Sequence, residues 1–100
     1  MPEPEIVEID RDLEYLIPEY LEGRRRDVES MRTALADGDF ESMRILGHNM
    51  KGTGGGYGFD AITDIGGAIQ QAAINTDAGE LEKLTGELAD YLGRIQIRFV

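Results

Sequence analysis

An all-α fold is predicted: an antiparallel up-down-up-down four-helix bundle with a short N-terminal helix. Three features of the chain predict it. Apolar residues recur at three- and four-residue spacing in several separate stretches. The breaks between those stretches are short, which favours antiparallel neighbours. No stretch alternates convincingly with period two, and no turn signal separates short β-branched runs, so no sheet is expected.

Residues 1–10 carry two prolines and four acidic side chains, and a flexible, extended or frayed segment is expected there. Residues 11–100 are expected to form one domain. Asp10 or Asp12 suits the cap of a short helix through Leu13, Tyr15 and Leu16. Pro18 disfavours helix for Ile17 but fits a first helical position. A longer helix should therefore run from about Pro18 to Ala36, with Tyr20, Leu21, Val28, Met31 and Leu35 as its apolar stripe. Arg24 interrupts that stripe. With Arg25 and Arg26 it forms the densest basic cluster in the chain, read as a solvated face paired to Glu22 or Glu29 in preference to a docking patch.

Gly38 fits a left-handed helix end, and Asp39 fits the cap of the next helix. That helix should begin near Phe40 and turn Phe40, Met43, Leu46 or Gly47, and Met50 inward. His48 then points away from the stripe, toward solvent, with Lys51 one turn further on. A further helix is expected from about Phe59 to Asn75, with Gly66 and Gly67 in its interior. Two interior glycines cost roughly 0.8–1 kcal/mol each against alanine, which close approach of a neighbouring helix would justify. Asp77 and Glu80 have the spacing of a capping box. The last helix carries Leu81, Leu84, Leu88, Tyr91, Leu92 and Ile95.

Composition excludes several functions. The chain has 100 residues, of which 41% are hydrophobic, so one real core is expected and disorder is not. It has no cysteine and a single histidine, which removes thiolate chemistry and argues against a protein-held zinc site. Twenty acidic residues against ten basic ones give a net charge of -10. Most of that surface repels a phosphate backbone, so nucleic-acid binding is not expected. Apolar runs fall far short of a membrane span, and the acidic start has no signal-peptide pattern. A cytoplasmic, monomeric domain is the expectation, with neither membrane nor intrinsic metal or cofactor.

One stretch breaks more local rules than any other: Leu46 to Phe59, LGHNMKGTGGGYGF. Five glycines lie between Gly52 and Gly58. Were all five helical, propensity alone would cost about 4–5 kcal/mol, so the first should continue the helix and the later ones form the connection. Gly56–Ala61 fits GxGxxA formally, but the preceding strand of a dinucleotide-binding unit is missing. No Gly-Lys-Ser/Thr closes a phosphate loop. The histidine offers a different chemistry. Its neutral ring has a nucleophilic nitrogen, and an ammonium three residues on can pair with an oxyanion attached to it. Gly52 and Gly55 follow at four and seven positions, thinning the same face for a second protein.

His48, Lys51, Gly52 and Gly58, the pattern H-x-x-K-G with a glycine ten positions after the histidine, resemble the signature of histidine phosphotransfer (HPt) domains. The likeness extends to the predicted bundle, its short leading helix and the mid-chain position of the histidine. It implies a phosphorelay intermediate: His48 accepts a phosphoryl group from a receiver-domain aspartate and passes it to another receiver. Lys51 would stabilise the phosphoryl oxygens, while Arg44, Gly52, Gly55 and Gly58 would belong to the docking surface. Gln70 and Gln71 are candidates for an amide near the imidazole. Mg²⁺ is expected on the partner receiver and not on this chain. The partners implied are response-regulator receivers and a hybrid sensor histidine kinase, with no kinase or phosphatase activity of the domain's own. Two other readings compete. One is a helical binding module that docks a receiver or kinase without carrying phosphate. The other is an enzyme using His48 as general base, for which no orienting carboxylate or oxyanion hole is recognisable.

Overall fold

Capping and spacing set the helix boundaries of the computed structural model, which describes residues 3–100. Four helices run over Ile17–Asp37 (α1), Phe40–Thr53 (α2), Asp60–Ile74 (α3) and Ala78–Arg94 (α4). A 3₁₀ turn over Arg11–Leu16 precedes α1, with the Asp10 carboxylate accepting from the Asp12 N–H at 2.9 Å. Pro18 lies in the first turn of α1, where its missing N–H costs nothing. At the far end Gly38 adopts φ 67° and its N–H reaches the carbonyls of Ala34 and Leu35. Asp39 caps α2 at once, accepting from the Ser42 N–H at 3.0 Å. Asp77 does the same for α4 through the Glu80 N–H at 3.1 Å.

Each helix turns its apolar stripe to a common centre. α1 packs on α2 and α4, α2 on α3, and α3 on α4. Met31, Met43, Met50, Phe59, Ile62, Ile69, Leu81 and Leu88 are wholly buried between them. Burial of side chains of this size contributes about 1.5–3 kcal/mol each. The chain is mostly helical and compatible with an all-α bundle. Among the described residues no helix is long and apolar enough to cross a membrane.

The structure departs from expectation at both ends. Glu5–Ile9 (β1) and Ile95–Phe99 (β2) form a two-stranded parallel sheet, with Glu5 opposite Ile95 and Ile9 opposite Phe99. Within residues 1–10, expected to be flexible, five residues are therefore a paired strand; positions 1 and 2 lie outside the described residues. Ile9 is fully buried. Ile95 was read as the end of the last helix's stripe, but its ψ of 137° makes it the first extended residue. From there Ile95, Ile97 and Phe99 are half-buried while Gln96 and Arg98 face solvent, a period-two pattern only five residues long. Two further bonds complete the closure, from the Arg11 N–H to the Val100 carbonyl at 3.0 Å and from the Val100 N–H to the Ile9 carbonyl at 2.9 Å.

Candidate functional site

Because Met43, Gly47 and Met50 are the buried residues of α2, the intervening His48 and Asn49 are exposed, and so is Lys51. His48 and Lys51 stand one turn apart on the outer face of the helix. Among the described residues neither makes an ion pair, and no hydrogen bond engages the imidazole. The lysine stem is nevertheless seated. A Cβ placed on Gly67 of α3 would stand 3.6 Å from Lys51 Cδ, so the aliphatic part of Lys51 lies along the glycine.

The surface around the imidazole is open. A Cβ on Gly52 meets nothing within 4 Å. The larger surface hollows, of about 540 and 600 Å³, lie between α1 and α2 and between α1 and α4, and His48 lines neither. The exposed imidazole and the open position at Gly52 leave this face accessible to a macromolecular partner. Among the described residues no group of three or more His, Asp or Glu side chains is arranged to hold a metal ion.

The other expected site residues divide. Arg44, one turn before His48, is clamped to Glu41 through Nε at 3.0 Å and Nη2 at 2.5 Å. That hydrogen bonding holds the Glu41 carboxyl below, and the Arg44 guanidinium above, their ordinary ranges. Gly55 is exposed, and its Cβ would make only ordinary contacts, at 3.6 Å, with Asp60 and Thr63. Gly58 has a structural reason to be glycine: φ is 94°, and a Cβ there would stand 2.6 Å from Ile9 Cδ1. Gln70 is half-buried with its backbone nitrogen against Gly47. Gln71 is exposed and donates from Nε2 to Asn75 Oδ1 at 3.4 Å. Among the described residues no hydrogen bond joins either amide to His48.

The glycine run resolves as a helix end followed by a turn. α2 stops at Thr53, and Gly55–Tyr57 make a 3₁₀ turn. Gly54 is buried against α3, where a Cβ would fall 2.6 Å from the Thr63 nitrogen. Several residues outside the expected site fasten this end. Thr53 donates to the Asn49 carbonyl at 3.1 Å; its one proton being committed, it accepts from the Tyr20 hydroxyl at 3.1 Å. Tyr20 stacks on Tyr57 with ring centroids 4.1 Å apart, and Arg24 lies over the Tyr20 ring at 4.5 Å. Arg24 Nε also reaches Asp27 Oδ2 at 2.9 Å without its N–H aimed at the oxygen. Arg25 pairs with Glu22 at 3.5 Å, so the basic cluster is largely spoken for within α1. Tyr20 showed as an apolar stripe residue and Tyr57 as part of the glycine run; neither spacing pointed to their stacking.

The family model described as Hpt domain matches residues 16–97, which takes in all four helices. No curated protein and no solved structure matches the chain.

Proposed function

Since this chain belongs to the Hpt domain family, whose members are histidine-containing phosphotransfer modules of two-component phosphorelays, we propose that His48 is its phosphoryl-carrying residue. A ring nitrogen of His48 attacks the phosphorus of an aspartyl phosphate on a receiver domain. The N–P bond forms as the P–O bond to the aspartate breaks, and the electron pair leaves with the carboxylate. A second receiver reverses the exchange. Lys51 sets a positive charge beside the transferred phosphoryl oxygens, a charge-assisted contact that suits a step needing electrostatic stabilisation. Mg²⁺ and the acidic pocket belong to the receiver, so this chain acts as a carrier without kinase or phosphatase activity of its own.

The observation that carries this reading is the exposed His48 on an open face of α2, with Lys51 one turn away and Gly52 free of neighbours. A donor as large as a receiver domain needs that access. Arg44, Gly52, Gly55 and Gly58 form the contact margin in this proposal, and Gln70 and Gln71 are the candidate amides for contact with the imidazole or its phosphoryl group. We take the helices to alternate up and down, as the two-residue link Gly38–Asp39 and the three-residue link Asn75–Asp77 favour. A hybrid kinase upstream, a cytoplasmic setting and a monomeric state complete the proposal.

Mixing the domain with a labelled phospho-receiver tests it. Wild type takes up acid-labile, alkali-stable label, and His48→Gln takes up none. Label that persists on His48→Gln overturns the assignment, and a wild type that binds the receiver without label makes the domain a docking module instead. Lys51→Ala slows transfer while the fold is kept; unchanged transfer removes the lysine from the step.

A further inference from the structure

We propose that Thr63 is a positioning residue for Lys51, clasping the end of α2 so that the ammonium stays beside the His48 imidazole; this rests on the carrier reading above. The clasp is an interruption of the α2 hydrogen-bond ladder. In an uninterrupted helix the Lys51 carbonyl accepts from the N–H of Gly55. Here the Gly55 N–H donates to Thr63 Oγ1 at 2.7 Å instead, and the Thr63 hydroxyl donates to the Lys51 carbonyl at 3.3 Å. A side chain of α3 has entered the ladder between the two groups and satisfies both. The last ordinary bond of the helix is the one before it, from the Gly54 N–H to the Met50 carbonyl at 3.0 Å.

Gly54 makes the clasp possible, and Gly67 lies along the lysine stem. A Cβ on Gly54 would stand 2.8 Å from Thr63 Oγ1 and 2.6 Å from the Thr63 nitrogen, so any side chain at that position would push the hydroxyl out. Gly67 follows Thr63 by four residues, on the same face of α3, and there the Cδ, Cγ and Cε atoms of Lys51 run 3.6–3.9 Å from where its Cβ would be. The first turns of α3 thus hold Lys51 twice, by its carbonyl through Thr63 and along its stem at Gly67. Lysine has a long stem and, among the described residues, makes no ion pair, so its charge is aimed by what holds backbone and stem. A charge already in place needs less reorganisation when the phosphoryl group arrives.

A cap that merely stabilised α2 would change stability and nothing else, so the test separates the two. Thr63→Val keeps the side-chain shape without the hydroxyl, Thr63→Ser keeps the hydroxyl, and each is made in the wild-type and Lys51→Ala backgrounds. Hydrogen exchange at the Gly55 amide reports the clasp, and single-turnover transfer from a phospho-receiver reports the chemistry. Thr63→Val exposes the Gly55 amide to faster exchange. It also lowers the transfer rate constant at saturating receiver by about 3- to 10-fold, the range one hydrogen bond spans, with the half-saturating receiver concentration unchanged. Thr63→Ser restores both. In the Lys51→Ala background Thr63→Val has less than about a twofold further effect, because coupled residues are not additive. Equal slowing in both backgrounds, or a loss of stability with transfer unchanged, overturns the role of Thr63 alone. Absence of label from the wild type overturns the carrier reading and this role with it. Should Thr63→Val fail to fold, Thr63→Ala makes the same comparison.

Discussion

Gly47 and Gly66 face each other reciprocally across the contact between α2 and α3. A Cβ on Gly47 would stand 2.8 Å from the Gly66 carbonyl oxygen, and a Cβ on Gly66 would stand 2.9 Å from the Gly47 carbonyl oxygen. Each would also meet a backbone nitrogen at 2.6 Å, that of Gln70 in one case and of Lys51 in the other. His48 follows Gly47 directly, and the Lys51 nitrogen is one wall of the contact. The separation of two helix backbones therefore fixes how the candidate site stands on the core, and Thr63 can reach the end of α2 only because that separation is small.

Gly47→Ala and Gly66→Ala should each destabilise the fold by about 1–3 kcal/mol, the usual range for overpacking, because backbone atoms have no rotamer with which to move aside. Gly86→Ala and Gly93→Ala on α4 provide the contrast. A Cβ at either position meets nothing within 4 Å, so alanine should gain up to about 0.8–1 kcal/mol of helix propensity. Urea unfolding of the four variants checks this. If Gly47→Ala proves as stable as Gly86→Ala, close approach is not what demands glycine at position 47.

Gly52 separates stability from docking. It is helical, exposed and without neighbours, so Gly52→Gln should leave the fold intact or raise its stability by several tenths of a kcal/mol through propensity. A partner that settles over His48 would meet the new side chain. Transfer from a phospho-receiver should then need about tenfold more receiver for half-saturation, a cost of about 1.4 kcal/mol in binding. Unchanged half-saturation would take Gly52 out of the docking surface.

The helices were legible because each carries two independent signals, a stripe and a terminus. Gly38 and Asp39 mark the α1–α2 boundary to the residue, and the burial of Met43, Gly47 and Met50 makes the exposure of His48 a consequence of spacing. The sheet was not legible for two reasons. Ile95 continues the three- and four-residue rhythm of Leu88, Tyr91 and Leu92, so its change of conformation leaves no mark in the pattern. A parallel pair joining positions 5 and 95 also has no local turn to announce it. The glycine run was ambiguous because glycine serves opposite ends. Gly54 is there for a tight contact and Gly58 for a positive φ, while Gly52 and Gly56 have open space around them. Thr63 acts through one hydroxyl, which no periodicity records.

Tyr91 predicts how the fold responds to alkali. Burial above all, and the Glu5 carboxylate next, push its phenol up from 10.0 to about 12, against a smaller opposing pull from Arg94. A phenol whose pKa is raised in the folded state binds a proton that the unfolded chain gives up. Its contribution is therefore complete below pH 10 and lost as the pH rises toward 12. Between these limits wild type should lose more stability than Tyr91→Phe, as followed by urea midpoints at successive pH values. Parallel curves for the two proteins would show that Tyr91 ionises alike in the folded and unfolded states.

Ile9 tests whether the terminal sheet belongs to the fold. Ile9 and Ile6 lie on the same strand, yet Ile9 is 1% exposed and Ile6 65%. The Ile9 side chain reaches Gly58, in the connection between α2 and α3, and its carbonyl accepts from the Val100 N–H at 2.9 Å. Ile9→Ala removes buried methyl groups from the core. It should cost about 2–5 kcal/mol, whereas Ile6→Ala should stay within about 0.5 kcal/mol of wild type. Because Ile9 packs on the connection that follows α2, its loss should also speed hydrogen exchange at Gly58. If the two alanine variants unfold at the same urea concentration as wild type, β1 is an ornament on the bundle, and the flexible N-terminal segment read from its prolines and acidic residues is the better description.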